Sequence, residues 1–288
     1  MGAARYVLNP AMPVLLRPDG SVQVGWHPRR AVQVRPPSGL TTGVLADLLR
    51  TLQSGATPDE LRAEAVRRGG AAAVDTDGID ALLTSLRDAG VVTRAPVGRR
   101  AHAARIRIHG RGPLSDLLAS GLRCSGSRVT QSLRPHAAAT PETTDLVVLS
   151  DLLVADPHVV RDLHAAGVAH LAVRIRDGTG LVGPLVIPGA SSCLACADLH
   201  RSDRDAAWPA VAAQLRGAVG SADRATVLAT AALALNQIDR VVRAMRDNHD
   251  GDPRRPPPLP VLDTTLEFDA DSSSIVARRW SRHPRCSC

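Results

Sequence analysis

The chain has 288 residues, 44% of them hydrophobic, with a net charge of +7 and a pI near 10.3, which is material for two domains rather than one small module. Aromatic residues make up only 2%, and all 35 positions in the Lys and Arg total are arginine. Cores must therefore be packed from Ala, Val and Leu, base-stacking platforms lack raw material, and mechanisms needing a lysine ammonium are closed to this chain.

The arginines are interspersed with 28 acids, a pattern of solvated faces rather than a nucleic-acid footprint. No run reaches the roughly 18 apolar residues of a membrane span, and no apolar signal core stands near Met1, so a cytoplasmic location is expected.

In chain order, residues 13–17, 21–26 and 31–35 alternate apolar and polar side chains, separated by the turn residues Pro18, Asp19, Gly20 and then His27, Pro28. This predicts a three-stranded antiparallel meander. Helical periodicity follows over 41–52, 58–68 and 76–89, with Val44, Leu45, Leu48 and Leu49 on one face of the first helix. Ile79, Leu82, Leu83 and Leu86 share a face of the third, and Gly55, Gly69 and Gly90 stand where the helices should stop. Three strands and three helices within residues 1–95 describe a winged-helix-like domain. Residues 96–104, polar and carrying Arg99, Arg100 and His102, form the expected linker to a second domain over 105–288.

That second domain alternates strand and helix. Strands are predicted over 105–108, 146–149 and 170–175, with helices over 114–121 and 157–166, the order of an α/β, Rossmann-like, mostly parallel sheet. A strand over 181–187, helices over 206–215 and 222–247, a proline-rich exposed loop over 251–260 and strands over 261–267 and 275–280 complete the chain.

Cys193 and Cys196 have the spacing that lets one tight turn aim two thiolates at a common point, and Cys286 and Cys288 supply a second pair. In a reducing compartment such clustering holds a metal more often than it forms disulfides. Four thiolates leave no open coordination position, so the expected site is a structural Zn²⁺. His200 and His283 are alternative ligands, separate free thiols are the plainer reading, and Cys124 stands alone.

The run His109, Gly110, Arg111, Gly112, Pro113, Leu114, Ser115 follows a strand and begins like a dinucleotide fingerprint, with Ser115 in place of the third glycine. Pro113 suits a first helical position, and backbone amides there can hold a phosphate. The next strand candidate runs from Arg128 through Gln131 and Ser132 without an acid to hold a ribose hydroxyl. Half a fingerprint marks a vestigial nucleotide loop, and ATP is not expected to bind; a two-glycine turn also serves as a plain tight connection. Asp151 reads either as a metal-phosphate ligand or as a helix cap.

The Rossmann-like strand and turn, the buried strand at Asp145, the run Gly183, Pro184, Leu185, Val186, Ile187, Pro188, Gly189 and then Cys193 to Cys196 together resemble the ThiF or E1-like superfamily over roughly residues 103–288. The segment from Cys196, Ala197, Asp198, Leu199, His200 through Trp208, Pro209 is similar to the cyclodehydratase-type (TOMM) branch of leader-peptide-binding proteins. Residues 6–95 fit the PqqD-like domain, the RiPP recognition element, that this branch often carries.

The resemblance implies that the first domain captures a precursor peptide and that the second docks it to a partner such as a YcaO-type cyclodehydratase. It also implies a homodimer. Ala31, Val32, Gln33, Val34 and Arg35 would form an open edge that accepts an extended peptide, and Ile79, Leu82, Leu83 and Leu86 would line its groove or pack as plain core. Active members adenylate a carboxylate with an acidic ribose ligand, an arginine and a lysine around ATP. This chain lacks the lysine and the acid, which implies a noncatalytic scaffold. The competing readings are an ATP-dependent ThiF-like adenylyltransferase, a stand-alone regulatory scaffold, and a winged-helix DNA binder. Against the last stand Asp75, Asp77, Asp80 and Asp88 in the third helical region with only Arg87 beside them.

Overall fold

The computed structural model describes residues 4–69, 76–95, 103–134, 139–250 and 259–288. Most of the expected linker and of the proline-rich loop, and Asp75, lie outside the described residues. The chain divides into two compact units, Met1–His102 and Ala103–Cys288.

In the first unit, β1 (Arg5–Leu8) precedes the meander β2 (Val14–Leu16), β3 (Val22–Val24) and β4 (Val32–Val34), then α1 (Thr42–Gln53), α2 (Pro58–Gly69), α3 (Thr76–Asp88) and β5 (Val92–Ala95). The meander is antiparallel in the order β2-β3-β4, pairing Leu16 with Val22 and Val24 with Val32. Two strands were not foreseen: β1 and β5 pair with each other, Leu8 opposite Val92, and Tyr6 of β1 also bridges to Ala56. Each is four residues long, too short to show a period, and each is a strand because its distant partner satisfies its backbone.

Local chemistry sets the helix starts. Thr41 accepts the Val44 amide at the head of α1, and Thr57 and Glu60 exchange bonds of 2.9 and 3.1 Å ahead of α2, a capping box. Leu45, Leu49 and Leu52 of α1 and Ile79, Leu83 and Leu86 of α3 bury themselves with Leu8, Val22 and Val24 in one core.

The second unit runs β6 (Arg105–His109), α4 (Pro113–Cys124), β7 (Arg128–Ser132), β8 (Leu146–Ser150), α5 (Pro157–Ala165), β9 (His170–Arg176), β10 (Thr179–Val186), α6 (Leu194–Arg204), α7 (Trp208–Leu215), α8 (Arg224–Asp250), β11 (Thr264–Asp269) and β12 (Ser274–Arg279). One seven-stranded sheet has the order β12-β11-β10-β9-β8-β6-β7. It is mixed rather than mostly parallel: β7, β6, β8 and β9 are parallel, while β10, β11 and β12 join antiparallel.

The cause is the Asp177–Gly178 turn, both residues at positive φ (51° and 79°). Two such residues close a hairpin, whereas a parallel partner needs a crossover of about a dozen. The strand expected from residue 261 begins at Thr264, because the Val261 carbonyl is spent on the Leu185 amide at 2.7 Å. Helix α6 went unread because it buries only Leu194, Cys196 and Ala197, too few to show a period.

Alternation sends successive strand residues to opposite faces. Ile106, Ile108, Val148, Leu171 and Val173 pack under α4 and α8 with Leu118 and Ile238. Val147, Leu149, Ala172 and Val186 form a second core with Val159, Leu163 and Leu194, and the cysteines belong to it. No described helix is long and apolar enough to cross a membrane. Leu118 is fully buried, so Leu118→Ala is expected to lower the unfolding free energy by about 2–5 kcal/mol, read by urea denaturation.

Candidate metal centre

The turn after β10 delivers Cys193 as the N-cap of α6 and Cys196 in its first turn. A helix N-terminus favours negative charge and so favours thiolates. The last residues return to the same point: Cys286 Sγ lies 3.6 Å from Cys193 Sγ, and Cys288 Sγ lies 3.3 Å from Cys196 Sγ. Cys193 and Cys196 are 3.7 Å apart, and all four sulfurs lie within 4.8 Å of one another. A tetrahedral ion with metal–sulfur bonds of about 2.3 Å requires S···S edges of about 3.8 Å. The donor set fits one metal ion, with no ligand position left for substrate. Cys124 is exposed and stands apart from this group.

Electrostatics within the cluster are uneven. Burial pushes the Cys193 thiol up. Burial also opposes ionisation of Cys196, but backbone hydrogen bonds with His283 and Cys193 and the neighbouring thiols Cys288 and Cys286 bring it down to about 7. A bound cation would relieve the crowding by replacing thiol protons with its own charge.

The two histidines weighed as alternative ligands are engaged elsewhere. His283 is buried, its Nε2–H donates to Asp203 Oδ2 at 2.7 Å, and its Nδ1 accepts the Arg285 amide at 3.1 Å. His200 Nε2 lies 3.1 Å from the Ser281 carbonyl and stacks edge-on against His283. Asp203, held below the usual carboxylate range first by its bond with His283, also binds Arg285. Arg282 donates to the Gly189 carbonyl at 2.5 Å, Asp263 Oδ1 accepts the Ser192 amide at 2.6 Å, and the Asp263 carbonyl accepts the Trp280 amide at 2.8 Å. This supporting layer was invisible in sequence; its one signal was polar residues flanking both cysteine pairs.

The structure also brings Gly110, Gly112, Ser115 and Asp151 together, around a group belonging to the chain itself. The buried Asp151 carboxylate accepts the Leu114 and Ser115 amides at 3.0 and 2.9 Å, and the Ser115 hydroxyl as well. It therefore sits on the α4 N-terminus. The glycines make room for it: a Cβ on Gly112 would lie 2.7 Å from the Asp151 carboxyl carbon, and one on Gly110 only 2.2 Å from the Ser150 carbonyl.

In the first unit, Val32, Gln33 and Val34 form β4, an edge strand bordered by Ala31 and Arg35. Ile79, Leu83 and Leu86 are buried in the core, and Leu82 is half-buried against it.

No protein-family model matches this chain, and no curated protein matches it. Solved structures do. The heterocyclase TruD superposes with a TM-score of 0.68 at 16% identity, over 99% of this chain and 42% of that one. A heterocyclase in complex with substrate and cofactor gives 0.68 and 16% over 99% and 39%. Escherichia coli MccB, solved with ATP, gives 0.55 and 11% over 98% and 99%. The fold is thus the ThiF-like α/β fold of these proteins. The chain spans about two fifths of the length of the heterocyclases it matches.

Two outcomes are expected. The purified protein should carry about one equivalent of zinc by elemental analysis, and Cys286→Ser should lower both zinc content and Tm; unchanged values would dismiss the centre. Asp151→Ala strands two buried amides and should cost about 1–3 kcal/mol by chemical denaturation.

Proposed function

We propose that this chain is a noncatalytic E1-like scaffold that binds a precursor peptide and presents it to a separate modifying enzyme of YcaO cyclodehydratase type. The observation that carries the reading is the Asp151 carboxylate on the α4 amides. A nucleotide phosphate would use those amides, and a phosphate entering there would meet a buried negative charge. The chain also contains no lysine to grip ATP, and β7 ends on Gln131 and Ser132 rather than an acid.

The fold shared with a heterocyclase solved with substrate and cofactor is compatible with this role. In this reading the modifying chemistry belongs to the separate YcaO-type enzyme. The ion in the four-cysteine site is zinc, and its role is structural. Capture belongs to the first unit as a winged-helix-like, PqqD-like recognition domain. Its edge strand β4 adds the peptide as a further strand, and Trp26, 77% exposed in the connection from β3, supplies an apolar anchor. A two-fold dimer in the cytoplasm completes the reading.

A second reading, ATP-dependent adenylation, is favoured by the likeness to MccB, which was solved with ATP. The experiment that separates the two uses the Cys-, Ser- or Thr-rich precursor encoded beside a YcaO-type gene. Binding to the full chain should slow hydrogen–deuterium exchange across residues 31–35 without added nucleotide. Pyrophosphate exchange dependent on that peptide would establish adenylation instead.

A further inference from the structure

Inner strands covered on both faces carry apolar side chains, and β9, held between β8 and β10, departs from this at Arg174. Leu171, Val173 and Ile175 enter the core under α4 and α8, so His170, Ala172 and Arg174 face the other way. His170 carries its Nδ1–H bonded to the Val168 carbonyl at 3.0 Å, while its buried Nε2 has no hydrogen-bond partner among the described residues. The half-buried Arg174 guanidinium makes no hydrogen bond or ion pair with any described residue. Loss of hydration, followed by repulsion from Arg201, brings its pKa down to about 10 despite Asp198 nearby.

Arg174 lines a cavity of about 490 Å³ whose apolar wall includes Leu153, Val160, Leu194, Val211 and Trp208. Three further arginines line it, and each has a partner: Arg161 with His158 Nδ1 at 2.7 Å, Arg176 with Glu267 at 3.1 Å, and Arg201 with Asp198 at 2.7 Å. Arg201 is also fixed over the Trp208 and Trp280 rings at 5.1 Å each. Asp198, already bonded to Arg201, takes the Trp208 indole N–H at 3.2 Å. Asp177 is the other acid in the lining. Four cations therefore face two acids, and the unmatched one stands in an apolar wall.

We propose that this cavity is a ligand site for a carboxylate carried on an apolar body, specifically a peptide segment joining a glutamate or aspartate to leucine-like neighbours. Arginine presents a planar fork that a carboxylate meets with two parallel bonds. A cavity of this size and lining suits one or two side chains. The site is separate from peptide capture at β4 and needs no nucleotide. A free apolar carboxylic acid shares the same chemistry and forms one arm of the test.

The zinc-loaded full chain is titrated by calorimetry with acetyl-Leu-Glu-Leu-amide, with acetyl-Leu-Gln-Leu-amide and with octanoate. The glutamate peptide should bind, the glutamine peptide should bind about tenfold more weakly, and Arg174→Gln should weaken the glutamate peptide by a similar factor. Tm should hold or rise in that variant, since an unmatched charge is removed. Binding of octanoate alone, lost in Arg174→Gln, would assign the same site to a free acid. Equal binding by wild type and variant, no binding of any probe, or a fall in Tm on Arg174→Gln would overturn the proposal. Exchange protection at residues 31–35 is unaffected by Arg174→Gln, which keeps this test apart from that of β4.

Discussion

Four sulfur atoms meeting at one point govern the second unit. Two come from the head of α6 and two from the last three residues of the chain, and a shared ion would turn such crowding to advantage by holding all four as thiolates. A tail of a few residues would ordinarily fray. Here it is held by sulfur at its end, by His283 and Arg285 on Asp203 in its middle, and by Trp280 on Asp263 at its start. Because β11 and β12 lie just upstream, the antiparallel half of the sheet is closed by the same lock.

The parallel half shows a different economy. The α4 N-terminus has the glycines and inward-facing amides that a phosphate cradle would use, but those amides are taken by the chain's own Asp151. Electrostatically, a carboxylate there satisfies the helix dipole as a phosphate would. A carboxylate of the chain thus stands at the helix end, and the proposed binding role rests on that occupancy.

Arg174 follows the opposite logic. Most charged groups near the sheet are matched, such as Arg105 with Asp145 and Arg176 with Glu267. A guanidinium left without a partner in an apolar wall costs stability, so its position is best explained by a ligand that brings the missing charge.

Much of this was legible in the residues themselves. The meander, the three helices of the first unit, the buried LVVLS strand and both cysteine pairs are written in local periodicity, turn residues and short spacings, all properties of neighbours in sequence. The β1–β5 pair, the antiparallel joining of β10, the Asp203–His283 support, the carboxylate on α4 and the unmatched Arg174 were not legible. Each depends on groups tens of residues apart, and sequence spacing carries no information about which distant donor will find which acceptor. The amino-acid sequence by itself determined the ligand types, the helix and strand periods and the absence of lysine. Only the tertiary structure decided that four sulfurs converge, that the Asp151 carboxylate occupies the helix end, and that Arg174 lines an apolar cavity without a partner among the described residues, because those are matters of distance.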